Sequence, residues 1–228
     1  WEKTHDFNIG IDAAFLNNRI DLTLDLYKTK TTDVIIAQTL PTSIMGTYTG
    51  NTPYKMNKNA AKTENRGVEI AINSRNIVKK DFTWSSTVTF TANKEKIKSL
   101  IDGQDMMFNA KKGDMVFKLG EAVGSYYKFK VSGIWQYSER ETAALFGCEP
   151  GDIKLELPSV KKDNTGYYYT DADGKRVDIT SENPYQVRVD YDRQVIGHNT
   201  PDWTLGFKNN FKYKNFDLSV FLYARWGQ

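Results

Sequence analysis

The sequence predicts an all-β fold made of antiparallel strands of a transmembrane β-barrel, joined by long extracellular loops. Three observations favour this fold. Apolar and polar residues alternate with a period of two, short and long connections take turns along the chain, and aromatic residues gather at the ends of the apolar faces. The alternating segments are about 9–11 residues long, which suits a tilted barrel strand, whereas soluble strands average about 5–6 residues. About six such strands are expected, as part of a large barrel.

The first hairpin surrounds Asn17 and Asn18 in the stretch AAFLNNRIDLTLDLY. Asn tolerates the positive φ of a two-residue primed turn, and such a turn pairs Leu16 with Arg19. The other face of the hairpin carries acids, Thr and Asn, as a watery environment requires. Its apolar face then consists of the pairs Phe15/Ile20, Ala13/Leu22, Ile11/Leu24 and Ile9/Leu26.

The second hairpin joins the stretches GVEIAINS and FTWSSTVTFTAN. An odd-length connection at 77–81 sets Ile70 opposite Val88, so that the apolar faces of the two strands coincide. In the second strand the face opposite the apolar one consists almost entirely of Thr and Ser. This hairpin therefore repeats the design of the first.

The third hairpin turns at Lys214-Asn215, which pairs Tyr213 with Phe216. Asn209, opposite Val220, is the one polar exception on its apolar face. The apolar pairs are Phe211/Leu218, Phe207/Leu222, Leu205/Ala224 and Trp203/Trp226.

A sheet with one apolar face and one polar face suits either a soluble sandwich or a membrane barrel with a polar lumen. Aromatic girdles at both ends of the apolar faces favour the barrel. The girdle beside the short turns is expected to hold Phe15, Phe82, Trp84, Tyr213 and Phe216, and the far girdle Phe7, Phe90, Trp203 and Trp226.

The connections predict the organisation of the chain. Outer-membrane barrels have short periplasmic turns and long extracellular loops. The barrel hairpins are accordingly expected at 1–30, 65–93 and 202–228, with extracellular loops at 31–64 and 94–201. The second loop is expected to fold on its own, because it contains an alternating stretch, YYKFKVSGIW, and a hairpin signal, GYYYTDADGKRVDIT.

Composition argues against several other classes of protein. The 31 basic and 28 acidic residues give a net charge of only +3, and the scattered basic residues speak against nucleic-acid binding. A single Cys148 excludes an internal disulfide and a Cys-based zinc cluster, and only His5 and His198 could serve a histidine site. No transmembrane helix or signal-peptide core is expected, because no apolar run of about 18 residues is present.

Aromatic residues of the second long loop are the candidates for contact with a substrate or a partner. Their rings would stack on sugars or dock a partner protein, and the alternative is packing on strand faces. The candidates are Tyr126, Tyr127, Trp135, Tyr137, Tyr167, Tyr168 and Tyr169.

Acidic residues of the same loop give only weak candidates for chemistry. Asp171, Asp173 and Asp178 would supply oxygen ligands to Ca²⁺, but a full calcium loop needs further acids at fixed spacing, and Asp173-Gly174 suits a plain turn. No metal and no cofactor are expected. The acids Glu139, Glu141, Glu149 and Asp152 are interpreted as surface charge rather than a glycosidase pair, so no enzymatic activity is expected.

Several stretches, taken in order, resemble the SusC/RagA family of TonB-dependent outer-membrane transporters. They are WEKTHDFNIGIDAAFLNNRIDLTLDLYKTKTTDVI, NRGVEIAINS, GEAVGSYYKFKVSGIWQ, PGDIKLEL and DRQVIGHNTPDWTLGFKNNFKYKNFDLSVFLYARWG. Two departures stand out: only DADG at 171–174 remains of a longer acidic loop, and PYQVRVDY is inserted before DRQVIG. The stretches match a portion of the C-terminal half of the family's barrel.

The resemblance implies active import through a plugged barrel in the outer membrane of a Gram-negative bacterium. It also implies a SusD-like lipoprotein over the extracellular loops and energy from the TonB complex. The expected cargo is glycans, with peptides as the alternative. A soluble carbohydrate-binding or adhesin module is the alternative from another class.

Overall fold

The computed structural model describes residues 1–39, 55–108 and 114–227. The chain divides into two compact units. We call Trp1–Ser125 with Gly197–Gln228 the sheet unit, and Tyr126–Ile196 the inserted unit. In the described parts of the chain, no helix is long and apolar enough to cross a membrane.

Fifteen β-strands and two short α-helices make up the described chain. The helices are α1 (Arg140–Ala144) and α2 (Val189–Asp192). The strands are β1 (Lys3–Phe15), β2 (Ile20–Thr39), β3 (Lys55–Val78), β4 (Phe82–Leu100), β5 (Met106–Phe108), β6 (Met115–Lys118), β7 (Ser125–Lys128), β8 (Lys130–Ile134), β9 (Ile153–Glu156), β10 (Val160–Asp163), β11 (Gly166–Thr170), β12 (Arg176–Asp178), β13 (Gln194–His198), β14 (Trp203–Tyr213) and β15 (Phe216–Trp226).

The sheet unit contains a six-stranded antiparallel sheet in the order β1-β2-β3-β4-β14-β15. Strand β14 pairs with β4, and Trp203 lies opposite Ala92. The connection from β4 to β14 therefore leaves and re-enters the sheet at the end opposite the short turns. The prediction of about six antiparallel barrel strands is confirmed.

The register predicted for the first hairpin is confirmed, with Phe15 opposite Ile20 and Ile9 opposite Leu26. Its turn is wider than predicted. It spans four residues, 16–19, and Arg19 N–H donates to Phe15 C=O at 3.0 Å instead of Leu16 pairing with Arg19. Three successive residues have positive φ, which the two Asn residues tolerate well.

The register predicted for the second hairpin is wrong by two residues. Ile70 lies opposite Phe90, and Val88 lies opposite Ile72. The turn lies later in the chain than predicted, with Val78 opposite Thr83, and a one-residue β-bulge between Arg75 and Ile77 then offsets the pairing by one, which leaves a net shift of two. The apolar faces still coincide, because a shift of two residues preserves the side of the sheet that each residue occupies.

The third hairpin has the predicted register throughout, with Tyr213 opposite Phe216 and Trp203 opposite Trp226. The other strands continue beyond the predicted hairpins. β2 runs on to Thr39 and β3 already begins at Lys55, so much of the predicted loop 31–64 is paired strand. The rest of that loop lies outside the described residues. The location of these extensions of β2 and β3 outside the membrane stays a prediction.

One face of the sheet is apolar and exposed. Ile11 is 54% exposed, Leu218 59% and Leu222 60%, which is expected of side chains whose neighbour is lipid. Among the girdle aromatics, Phe7, Phe216 and Trp226 are exposed as well, and Trp84 stacks on Phe211 with 5.7 Å between ring centroids.

Asn209, the polar exception of the third hairpin, is satisfied by hydrogen bonds. The side-chain oxygen of Asn209 accepts from Trp84 Nε1 at 3.0 Å and from Ser86 Oγ at 2.7 Å. Asn76, the extra residue of the β3 bulge, donates in turn to Ser86 Oγ at 2.7 Å. A polar group facing an apolar medium is costly unless it is paired in this way.

The buried core of the sheet unit lies at the end of the sheet opposite the short turns. It consists of Ile36, Ala60, Ala61, Ile97, Leu100 and Met107, with partly buried Val34, Ile101, Phe117 and Val123 packed against it. The apolar residues of the strand extensions thus pack against one another in a buried core, as they do in a soluble domain.

The inserted unit has small sheets of its own. Strand β8 pairs with β9, and β10, β11 and β12 form a three-stranded antiparallel sheet. The predicted hairpin in GYYYTDADGKRVDIT is present, and Tyr169 lies opposite Val177 across a turn at 171–175. The alternating stretch YYKFKVSGIW is divided between β7 and β8.

Candidate functional site

The candidate functional site is a cavity of about 320 Å³ in the inserted unit. Most of its wall is aromatic or aliphatic, and its polar lining groups are Glu139, Thr142, Cys148 and Lys154. A cavity of this size lies at the lower end of the range for small-ligand pockets.

The residues from Gln136 to Cys148 build one wall of the cavity. Gln136 and Glu139 form a reciprocal capping box, in which Gln136 N–H donates to the Glu139 carboxylate at 3.1 Å. Helix α1 follows, with Ala143 completely buried. Gly147 adopts a φ of +63°, and Cys148 N–H then donates to Ala143 C=O at 3.0 Å. This turn, which glycine makes easily, returns the chain to the cavity.

Trp135 belongs to an aromatic cluster centred on Phe146 and is only 7% exposed. Its ring stacks on Phe146 at 5.7 Å, and the Lys154 ammonium lies 4.4 Å from the ring centroid. Tyr167 and Tyr185 each contact Phe146 edge-on. Such rings are worth more than their buried area alone, and they make this cluster the core of the inserted unit.

A charge pair lies in the cavity wall beside Trp135. Lys154 Nζ and Glu139 Oε1 are 2.6 Å apart. The hydrogen bond from Lys154, followed by that from the Gln136 backbone, holds the pKa of Glu139 below its usual value. Glu139 is therefore a carboxylate at neutral pH. Lys154 contacts both this carboxylate and the indole ring of Trp135.

A buried carboxylate anchors the segment that follows the β10–β12 sheet. Asp192 is completely buried and accepts hydrogen bonds from Ser159 Oγ at 2.6 Å, from Arg188 N–H at 2.7 Å and from the Tyr185 hydroxyl. Ser159 N–H is a further donor at 3.3 Å. Burial of a charge is tolerated only with such full hydrogen bonding. The inserted stretch PYQVRVDY is thereby fixed to the start of β10.

Tyr185 is the most strongly perturbed phenol of the inserted unit. Burial, together with its hydrogen bond to the Asp192 carboxylate, raises the pKa of Tyr185 to about 12. The hydroxyl therefore stays protonated and serves as a donor to Asp192 at any physiological pH.

The predicted contact aromatics occupy different environments. Trp135 and Tyr167 belong to the buried cluster, and Tyr169 joins it through Tyr185, with 5.3 Å between ring centroids. Tyr168 lies apart from this cluster beneath Arg176, whose guanidinium carbon is 3.9 Å from the ring centroid.

Three further candidates lie away from the cluster. Tyr137 is 73% exposed and has Arg140 against its ring at 5.3 Å. Tyr126 and Tyr127 are half-buried residues of β7. Contact of any of the seven aromatics with a substrate or partner stays a prediction.

Two of the three acids considered as calcium ligands, Asp171 and Asp178, have structural partners for their carboxylates. The Asp171 carboxylate accepts from the backbone of Asp173 at 3.1 Å and of Lys175 at 2.8 Å, which shapes the turn at Gly174. Asp178 pairs with Arg176 at 2.7 Å. Within residues 1–39, 55–108 and 114–227, no group of three or more His, Cys, Asp or Glu side chains is placed to hold a metal ion.

Two residues of this site were not among the predicted candidates. Arg188 lies in the inserted stretch PYQVRVDY and Asp192 directly follows it, and the partners of Asp192 include Ser159, 33 residues earlier in the chain. Only the unusual cluster of Tyr, Arg and Asp in PYQVRVDYDR would have drawn attention to this segment.

Comparison with known proteins gives the family. A family model described as TonB dependent receptor-like, beta-barrel matches residues 1–227. The chain belongs to this TonB-dependent receptor family. TonB-dependent receptor P3 of Formosa agariphila is 34% identical over 236 residues, which cover 100% of this chain and 20% of that protein. TonB-dependent receptor SusC of Bacteroides thetaiotaomicron is 35% identical over 140 residues, which cover 57% of this chain and 13% of SusC.

Solved structures of this class have the same fold. The structure of the RagAB peptide transporter superposes with a TM-score of 0.70 at 23% identity, over 98% of this chain and 21% of that one. The expected membership of the SusC/RagA group of TonB-dependent receptors is confirmed. The chain spans about a fifth of the length of the curated relatives that it matches over its whole length.

Proposed function

We propose that this chain forms part of the barrel wall and the extracellular loops of an outer-membrane TonB-dependent importer of oligosaccharides. In this proposal a SusD-like surface lipoprotein covers the extracellular side, and the TonB complex supplies energy through other parts of the parent protein. The chain itself carries out no catalysis, since its homologues are named as receptors and not as enzymes.

The observation that carries the proposal is the two-faced six-stranded sheet. Its apolar face is exposed over several rows, while the opposite face presents hydroxyl, amide and charged groups. A barrel wall explains both faces, because its apolar residues contact lipid and its polar residues face the lumen. A soluble carbohydrate-binding or adhesin module accounts less well for a large exposed apolar face.

Polar groups on the lumen side support an oligosaccharide cargo. Thr87 Oγ1 donates to Asn73 at 2.8 Å, Ser219 Oγ to Asn210 at 2.6 Å, and Thr23 Oγ1 to Asp12 at 2.8 Å. Hydroxyl and amide groups that form hydrogen bonds with one another can replace these bonds with hydrogen bonds to the hydroxyls of a sugar chain. They offer many weak contacts, which suits transport better than tight retention.

Peptide cargo is the second candidate, and the charges on the lumen side favour it. Asp25 lies opposite Glu69 on β2 and β3, whereas Lys208, Lys212 and Arg225 lie on β14 and β15. Asp217 lies opposite Lys212, but acids predominate at one side of this wall and bases at the other, and such a wall attracts molecules that carry both charges. The solved structure described above is titled a peptide transporter.

The direct experiment is growth of the source bacterium without the parent gene. We expect loss of growth on one class of oligosaccharide, restored by the complete gene but not by a gene whose product cannot engage TonB. Growth on peptides as the sole amino-acid source is the parallel arm. Loss of growth on peptides alone would replace the oligosaccharide proposal with the peptide one.

A further inference from the structure

Arg188 is a cation whose side chain lies against two tyrosine rings. Its guanidinium carbon is 3.7 Å from the ring centroid of Tyr191 and 5.1 Å from that of Tyr169. Nη1 donates to Thr170 C=O at 2.7 Å. In the described part of the chain, no carboxylate lies within ion-pair distance of this guanidinium.

The contrast with Arg176 shows what is unusual about Arg188. Arg176 also lies over a tyrosine, but it is paired with both Asp163 and Asp178. A guanidinium has five N–H donors in a planar fork that matches a carboxylate. Arg176 directs its fork to carboxylates of its own chain, whereas the fork of Arg188 has the Thr170 carbonyl as its protein acceptor.

The backbone of Arg188 is held firmly by the buried Asp192. Arg188 N–H donates to the Asp192 carboxylate at 2.7 Å, and Arg188 C=O accepts from Asp192 N–H at 2.8 Å and from Tyr191 N–H at 3.0 Å. Both backbone polar groups of Arg188 are therefore fixed by neighbours. A cation positioned in advance loses less freedom when it binds an anion, which increases affinity.

Residues close to Arg188 in the chain expose apolar side chains, alongside the polar Gln186 and Asp190. Tyr191 is 50% exposed, Val189 48% and Val187 43%. A cation beside exposed apolar surface suits a ligand that combines an anionic group with an apolar ring face. A sugar ring that bears a carboxylate has both features.

We propose that Arg188, stacked on Tyr169 and Tyr191, binds the carboxylate of an acidic sugar, so that oligosaccharides containing uronic acids are the cargo class that the inserted unit recognises. This inference rests on the proposed function in oligosaccharide import. The inserted stretch PYQVRVDY, which departs from the family pattern, would then determine specificity.

The test uses the full-length parent transporter in detergent and calorimetric titration with two matched probes. One is a tetragalacturonate, and the other is the same tetrasaccharide after its carboxyl groups have been reduced to alcohols. We expect the acidic probe to bind at least about tenfold more tightly, with an affinity that falls as salt rises. Arg188→Gln is expected to remove this preference and to leave the affinity for the reduced probe unchanged.

Arg140→Gln is the matched control, because it removes the same charge from an exposed arginine over Tyr137. It should leave the preference intact. If Arg188→Gln does not fold, the exposed Tyr191→Ala variant decides, with a loss of preference of about threefold or more expected from the missing ring.

The outcomes separate the two proposals. Equal binding of both probes by the wild type, or an unchanged preference in Arg188→Gln, would overturn the role of Arg188 and leave oligosaccharide import standing. Binding of a glutamate-rich tetrapeptide, without binding of either tetrasaccharide, would overturn both proposals.

Discussion

The six-stranded sheet and the inserted unit are stabilised in opposite ways. The sheet is held by long ladders of backbone hydrogen bonds, and its apolar side chains point outward, with Leu222 60% exposed. The inserted unit packs its aromatic rings around Phe146, and Asp192 connects its segments through hydrogen bonds. The sheet thus depends on its surroundings for the burial of apolar surface, whereas the inserted unit supplies its own.

A charge on the apolar face of the sheet gives the largest expected effect. Ile70 lies between Leu24 and Phe90 on that face. Ile70→Arg should destabilise the folded barrel by about 2–4 kcal/mol, because the guanidinium would face hydrocarbon. Gel mobility of unheated membranes should show loss of the compact folded form. Thr89→Arg, on the opposite face in the neighbouring row, is the matched control and should fold normally.

Loss of the buried anchor should open the inserted unit while leaving the sheet folded. Asp192→Ala leaves the donors on Ser159, Tyr185 and Arg188 without their acceptor, at a cost of about 3 kcal/mol. Local opening of that size should raise the rate of tryptic cleavage in the inserted unit by about 100-fold. Asp190→Ala removes an exposed carboxylate from the same helix and should change the rate little. Equal rates for the two variants would contradict the anchoring role of Asp192.

Alkaline pH should act on the inserted unit through Tyr185. The folded state raises the pKa of Tyr185 to about 12, and the unfolded value is about 10. The contribution of the neutral hydroxyl is therefore fully present below about pH 10 and is lost as pH rises through about 12. The difference in absorbance at 295 nm between the wild type and Tyr185→Phe should rise with a midpoint near 12. A midpoint near 10 would show that the hydroxyl is not held by Asp192.

The turn of the third hairpin gives the smallest expected effect, and it is stabilising. Lys214 has a φ of +51°, where an L side chain is strained and glycine is not. Lys214→Gly should therefore stabilise the β14–β15 hairpin by about 0.5–1 kcal/mol. Asn215→Gly, at the neighbouring position, is the control and should not stabilise. For both variants the measurement is the temperature at which the folded barrel form disappears on gels.

The sequence predicted the sheet better than the inserted unit, for physical reasons. Alternation with a period of two reports directly which side of a strand faces lipid, so the registers around Asn17 and Lys214 followed from turn position alone. Neither the position of the turn between β3 and β4 nor the bulge at Asn76 has a signature in the sequence, and the register of the second hairpin was therefore wrong by two residues. Strand extensions such as 31–39 were missed because they do not continue the two-faced pattern.

The site of the inserted unit depends on contacts between distant residues. Asp192 meets Ser159, and Arg188 meets Tyr169, without any periodic pattern that links them. The aromatic residues were predicted as a group, but which rings are buried and which are exposed followed only from the structure. Trp135 and Tyr137, two residues apart, differ from 7% to 73% exposed.

The central claim is that the apolar face meets lipid, with the short turns in the periplasm and the inserted unit outside the cell. A membrane-impermeant maleimide added to intact cells tests it most directly, in a parent protein whose accessible cysteines, Cys148 included, have been replaced. We expect labelling of a cysteine at Asp173, in an exposed turn of the inserted unit, and protection of cysteines at Asn18 and Lys214. A cysteine placed at Thr49, which lies outside the described residues, is expected to be labelled as well, and so is the half-buried Cys148 in the protein that retains it. Labelling at Asn18 and Lys214 with protection at Asp173 would contradict the claim and reverse the orientation of the whole chain.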